Sequence, residues 1–239
     1  MFSFLKPKPY KLILFDLDRT LWDYETNAVC TLTELYQHFE IQKYEMPLDI
    51  FLSHFKKYND ILWGEYQKGS INKQTLRELR FTKVLEEAGV KDRKKGTAMD
   101  QYYIEEAPKQ TSIFPGTIEL LDHLKERGYT LSLLTNGFTE VQVVKIDRCG
   151  IAPYFSKMFT SQDVGFQKPD ARIFHAAVSA HHARKKEVLM VGDDWMNDIQ
   201  GARNYGIDAA FFCPYGKPDQ LDFKPTYCIE HLLELKEVL

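Results

Sequence analysis

Two hydrophobic rhythms run along this chain. Leu12 to Phe15 is an unbroken apolar stretch, the pattern of a strand buried on both faces of a parallel sheet. From about Tyr24 to Glu106 the period changes to that of amphipathic helices, as in Leu48, Phe51, Leu52 and Phe55, then Ile61 and Leu62. Four or so helices are predicted there, broken near Pro47, Gly69 and Gly89. Beyond Pro108 the rhythms alternate. "GTIELLDHLKERG" reads as a helix closed by Gly128, "YTLSLLTNG" as a strand, "EVQVVKIDRCG" as a helix, "KMFTS" as a short strand, and "DARIFHAAVSAH" as a helix capped by Asp170. Strand "EVLMVGDD", helix "MNDIQGARNYG", strand "IDAAFFC" and a last short strand and helix complete the series. Such alternation implies an α/β fold, a right-handed, doubly wound parallel sheet. Residues 1–22 and 107–239 then form the core domain, and 23–106 is a helical insertion after its first strand. "KDRKKG" at 91–96 reads as a solvated loop. His181 and His182 fall in a polar stretch between a helix and a strand, and no metal role follows for them.

Composition narrows the partners. With 44% apolar residues, 239 residues suffice to bury a sizeable core. A net charge of −3 and a pI near 6.2 remove the electrostatic case for nucleic acid or an anionic membrane. A phosphate-bearing ligand would therefore need a local cation or a metal. Cys30, Cys149, Cys213 and Cys228 are widely spaced, without zinc spacing, and read as small core residues in a reducing compartment. The start, "MFSFLKPKPY", meets Lys6 and Pro7 too early for the roughly 7 to 15 apolar residues of an export signal. No later run approaches the roughly 20 apolar residues that span a bilayer. A cytoplasmic protein with no membrane partner is expected.

The chemistry collects where strands end. In open α/β sheets the functional face lies at the carboxyl ends of the strands. There the chain places Asp16 and Asp18, then Thr135 and Asn136, then Asp193 with Asp194 and Asp198 close behind, and it carries Lys168 in a loop before a helix. Two residues apart on an extended chain, Asp16 and Asp18 project to the same side. With Asp193 they concentrate negative charge that calls for a cation. Oxygen ligands without Cys or His point to Mg²⁺, which keeps waters and completes its shell with a substrate phosphate.

Four segments in order, "FDLDRT", "LLTNG", "KPD" and "GDDWMND", resemble the haloacid dehalogenase superfamily of phosphohydrolases, over Leu12 to about Phe212. The helical insertion looks like the cap of its type one members. The resemblance implies that Asp16 is the nucleophile and a metal ligand, and that Asp18 is the acid and base, its backbone carbonyl joining the metal shell. Thr135 would hold phosphoryl oxygens, with Asn136 beside it in the substrate-binding set. Lys168 would neutralise Asp16 and the phosphate, Asp193 would bind Mg²⁺, and Asp198 would orient metal waters or Lys168. Asp194 stands where the family commonly has a small hydroxyl residue, and no role is assigned to it.

At finer grain, "TNGF", "VGFQKPD" and "QKGSINKQTLRELRF" are similar to the pyrimidine 5'-nucleotidase branch, which makes Arg77 or Arg80 candidates for a substrate contact, against a solvated helix face. Trp22, Tyr24, Trp63 and Tyr66 read as hydrophobic core in preference to a platform for a base. The expected substrate is a small-molecule phosphate monoester, a nucleoside monophosphate first. Alternatives are sugar phosphates or phosphoglycolate, a phosphomutase reaction, and 2-haloacid dehalogenation. Asp18 argues against the last, because displacing halide needs no acid and no metal.

Overall fold

In the computed structural model of the chain, which describes residues 10–218 and 220–239, the apolar run Leu12–Phe15 forms β1, an interior strand of a six-stranded sheet. The others are β2 (Thr130–Thr135), β3 (Lys157–Thr160), β4 (Val188–Gly192), β5 (Asp208–Phe212) and β6 (Tyr227–Ile229). They lie in the order β3-β2-β1-β4-β5-β6, and every neighbouring pair is parallel. The chain thus winds outward one way from β1 and then the other way from β4. The carboxyl ends of these two strands flank the switch point where such sheets bind ligands.

Alternation along the strands divides the core in two. Ile13, Phe15, Leu131, Leu133, Leu189 and Val191 face one side, packed with Leu120, Leu121 and Leu124 of α5 (Thr117–Glu126). Leu12, Leu14, Leu134, Val188 and Met190 face the other, with Ile173, Phe174 and Ala177 of α8 (Ala171–Ala180) and Ala202 of α9 (Gly201–Tyr205). Both faces are buried, which is why β1 carries no polar residue; each full-sized apolar side chain contributes about 1.5–3 kcal/mol on burial. Between them in sequence lie α6 (Thr139–Arg148) and the short α7 (Ser161–Val164).

The chain divides into two compact units: the segment ending at Tyr24 together with Thr111–Leu239, and Glu25–Gln110. These limits fall slightly beyond the 22/23 and 106/107 expected from sequence. The second unit is built from α1 (Tyr24–His38), α2 (Leu48–Gln67), α3 (Lys73–Glu87) and α4 (Arg93–Glu106). Its interior centres on Phe51, Phe55, Phe81 and Tyr103, with ring centroids of successive pairs 5.0 to 6.4 Å apart. Within the first unit, the points where the chain leaves and returns are paired. Trp22 bridges antiparallel to Ile113, Asp23 N donates to Ser112 O (3.0 Å), and Phe114 N donates to Leu21 O (2.9 Å).

Some expectations give way. Residues 91–96 are not a loop throughout: the Asp92 side chain accepts from Lys95 N and so starts α4, and a Cβ on Gly96 would lie 2.4 Å from Thr82 Oγ1. Trp195–Gln200 is a π-helical turn leading into α9. Cys213 is buried as expected, but Cys30 is exposed. His181 is not simply solvated, since its Nε2 lies 2.8 Å from Ser132 Oγ on β2. No helix among the described residues is long and apolar enough to cross a membrane. The first nine residues, which carry the reasoning about an export signal, lie outside the described residues.

Candidate active site

β1 ends at Phe15, and the next residue still belongs to the sheet's ladder, with Asp16 N donating to Val191 O (2.9 Å). A tight turn follows. The Leu17 carbonyl accepts from the N–H groups of Thr20, Leu21 and Trp22, and Arg19 takes a left-handed conformation (φ 64°). The turn holds Asp18 beside the strand end, while buried Thr20 donates its hydroxyl to Asp193 Oδ1 at 3.2 Å.

Asp16, Asp193 and Asp198 bring a carboxylate oxygen each to within 4.8 Å of one another. Lys168, 3% exposed, reaches into this group, with Nζ 2.5 Å from Asp16 Oδ1 and 2.6 Å from Asp198 Oδ1. Burial raises the Asp16 carboxyl, against the pull of Lys168. Burial and the neighbouring Asp16 and Asp198 raise Asp193 well above the usual carboxylate range. Asp198 is pushed up to about 7 by burial and by Asp16, with Lys168 opposing. Lys168 moves upward in spite of its burial, because two carboxylates flank it, and it remains an ammonium. When ionised, the three carboxylates outnumber the Lys168 ammonium and crowd negative charge into a buried place. A divalent cation bound through oxygen fits both that charge and that donor set.

The Asp18 carboxylate stands apart from this group. It accepts from Lys145 Nζ through Oδ1 (2.5 Å) and from Gln142 Nε2 through Oδ2 (2.7 Å). Burial would raise it, but Lys145, Gln142 and Arg19 outweigh burial and hold it below its ordinary value. Thr135, at the end of β2, is buried, and its Oγ1 accepts from Gly137 N (3.0 Å) and Gln142 Nε2 (2.8 Å). Sequence reasoning missed both Gln142 and Lys145. Their contacts to Asp18 span more than a hundred residues, and the only local signal is two polar residues on the stripe of α6 that also buries Ile146.

Two expected residues have other partners. Asn136 clasps the main chain of Lys168, donating from Nδ2 to Lys168 O (3.0 Å) and accepting at Oδ1 from Lys168 N (2.8 Å). Its side chain thus positions the lysine, at the start of a cis Lys168–Pro169 bond. Arg80, expected to touch substrate, lies 5% exposed inside the helical unit. Its Nε and NH2 donate to Asp100 Oδ1 and its NH1 to Asn59 Oδ1, so its charge is spent on the interior of that unit. Asp194 acquires a role: its Oδ1 accepts from Met196 N and Asn197 N (both 2.9 Å), capping the turn after β4 as a small hydroxyl residue would. Arg77 lines a cleft between α3 and α4 with Lys73, Asp100 and Gln101.

Gly192 makes room for Asp198. A Cβ there would meet the Asp198 carboxylate at 2.2 to 2.4 Å. Gly192→Ala is therefore expected to destabilise the protein by about 1–3 kcal/mol, read from urea denaturation, because the buried carboxylate must shift.

The chain is similar to known proteins along nearly its whole length. Residues 13–212 match the family described as haloacid dehalogenase-like hydrolase. Pyrimidine 5'-nucleotidase PynA of Streptococcus pneumoniae is 33% identical over 96% of this chain and 95% of its own length. Pyrimidine 5'-nucleotidase YjjG of Escherichia coli is 28% identical over 95% and 96%. The crystal structure of YfnB from Bacillus subtilis bound to magnesium superposes with a TM-score of 0.85 at 27% identity, over 97% of this chain and 99% of that one.

Proposed function

Because the chain belongs to the haloacid dehalogenase-like hydrolase family, we propose that it is a Mg²⁺-dependent phosphatase acting on nucleoside 5'-monophosphates through an aspartyl-phosphate. The observation that carries this reading is the buried group of Asp16, Asp193 and Asp198 around the Lys168 ammonium, at the switch point of the sheet. Asp16 attacks phosphorus: the bond from its carboxylate oxygen forms as the bond from phosphorus to the leaving oxygen breaks. Asp18 gives a proton to that leaving oxygen. In the second half-reaction water attacks phosphorus, the Asp16 bond breaks, and the Asp18 carboxylate takes the water's proton. The ionised form in which Lys145 and Gln142 hold Asp18 is the one this second step needs. The proton for the first step is the one that a phosphate monoester carries in its monoanionic form: it passes to the Asp18 carboxylate and from there to the leaving oxygen.

Thr135 and Lys168 face the transferring group. With both acceptor directions of Thr135 Oγ1 filled by Gly137 and Gln142, its own hydrogen is left to donate to a phosphoryl oxygen. The Lys168 ammonium neutralises Asp16 and the charge that builds on phosphorus. Asp16, Asp193 and Asp198, with the Asp18 backbone carbonyl, would hold Mg²⁺, which when bound supplies charge neutralisation and alignment of the phosphoryl group.

The nucleotide preference rests on PynA and YjjG, both named pyrimidine 5'-nucleotidases, which are similar along nearly the whole chain. Phosphate release measured with Mg²⁺ across nucleoside monophosphates, sugar phosphates and phosphoglycolate tests it. Fastest turnover of pyrimidine nucleoside monophosphates is expected, and EDTA should remove it reversibly. A clear preference for sugar phosphates would keep the chemistry and discard the substrate.

A further inference from the structure

Lys145 and Gln142 lie one turn apart on α6, whose neighbouring residues Glu140 and Val143 face outward. Both are buried, Lys145 at 6% exposure and Gln142 at 0%. A lysine turned inward from a surface helix loses hydration and needs a strong partner. Here it has two: the Asp18 carboxylate at 2.5 Å and the face of Trp22, whose ring centre lies 4.1 Å from Nζ.

Gln142 is committed more tightly still. Its Nε2 donates both hydrogens, one to Asp18 Oδ2 and one to Thr135 Oγ1, while its Oε1 is buried with no hydrogen-bond partner among the described residues. Leaving a buried acceptor unmet is costly. The opposite amide orientation would satisfy neither acceptor and would set a carbonyl against a carboxylate. The space for this side chain comes from Gly137, where a Cβ would lie 2.1 Å from Gln142 Nε2. The third residue of "TNG" thus serves the glutamine as well as the turn.

We propose that Gln142 and Lys145 are positioning residues for Asp18, and that Gln142 ties the acid–base carboxylate to the phosphoryl-holding hydroxyl of Thr135 so that the two are set as one unit. The inference rests on the phosphatase reading above and adds to it two residues and a link between two of its parts. A carboxylate held at both oxygens keeps one rotamer, so that a proton it takes from the monoanionic ester is handed to the leaving oxygen at the moment the bond to phosphorus breaks. Without Lys145 or Gln142 the carboxylate swings freely, and protonation of the leaving group suffers first.

The test compares two esters. An alkyl phosphate expels a strongly basic alkoxide and needs the proton, whereas p-nitrophenyl phosphate expels a stable phenolate and does not. The quantity kcat/KM covers only steps up to formation of the aspartyl-phosphate, so it isolates the acid step from the later attack of water. Lys145→Met and Gln142→Leu are each expected to lower kcat/KM about a hundredfold on the best alkyl substrate and less than about tenfold on p-nitrophenyl phosphate. Lys145→Arg, which keeps the charge, should recover most of the loss. Equal losses on both esters, or none on either, in variants whose circular dichroism matches wild type would overturn the positioning role and leave the phosphatase reading intact. A wild-type protein that releases phosphate from neither ester would overturn the phosphatase reading and this inference with it.

Discussion

Asp16→Asn should eliminate phosphate release, lowering kcat by at least about four orders of magnitude while leaving the fold in place. An amide oxygen is a poor nucleophile toward phosphorus, and no other carboxylate can substitute. Asp193 and Asp198 sit in the same buried group but follow the neighbouring strand, and Asp18 is held by Lys145 and Gln142. Stability should hold or rise, since the substitution removes one of three mutually repelling carboxylates at a place where Asp16 is itself raised by burial. Two measurements check this together. Acid-quenched wild-type protein under turnover should carry a phosphoryl adduct by intact mass, and the variant should carry none. Substantial turnover by the variant, or an adduct mapped to another residue, would remove Asp16 from the role of nucleophile.

Lys168→Met should damage both chemistry and stability, and the two losses should respond differently to conditions. On the chemical side, loss of a preorganised positive charge at the transferring group costs about 10²- to 10³-fold in rate. On the stability side, Asp16 and Asp198 lose the ammonium they share, and breaking a buried pair in this way costs about 3–5 kcal/mol when the remaining charge stays ionised. That cost depends on pH. Asp198 is pushed up to about 7, so between the ordinary carboxylate range and that value the folded chain holds a proton that the unfolded chain has released. The contribution of this group to stability therefore falls as pH rises through the window. Removing Lys168 removes the charge that opposes protonation, so the penalty should be small near pH 5 and large near pH 8. Urea midpoints at the two pH values measure it. Saturating Mg²⁺ should restore part of the stability at the higher pH, by binding the folded carboxylates, without restoring turnover. A loss independent of pH and Mg²⁺ would mean that Lys168 matters for packing alone.

Much of this arrangement was legible in the sequence because its signals are local. An all-apolar run that stops at Asp16 declares both a doubly covered strand and a functional end to it, and the same logic placed Thr135 and Asp193 at the ends of β2 and β4. The exposed face of a helix carries no such declaration. Arg80 looked available for substrate because its partner, Asp100, lies on the next helix twenty residues away, and nothing in the amphipathic pattern says that a charge will be answered across a helix pair. Lys145 is the converse case, a lysine on a surface helix turned inward by a carboxylate 127 residues earlier. Asp194 was unreadable for another reason. Its work is done on the backbone of the next turn, so a carboxylate replaces a hydroxyl there without joining the group of Asp16, Asp193 and Asp198. Asn136 likewise serves the main chain of Lys168, a contact between two segments that each looked complete alone.

The paired strands of backbone at Leu21–Asp23 and Ser112–Phe114 carry a consequence for how such a chain can change. The chain departs from the core and comes back at adjacent points, already cross-linked by hydrogen bonds that belong wholly to the core. The entropy of closing the long excursion is met at that junction and grows only slowly with the length inserted. A change of length between those points therefore need not disturb the register of β1 against β2 and β4, or with it the placing of Asp16. The helical segment can therefore be exchanged, as a plug is in a socket, while the side chains at the carboxyl ends of β1 and β4 keep their places.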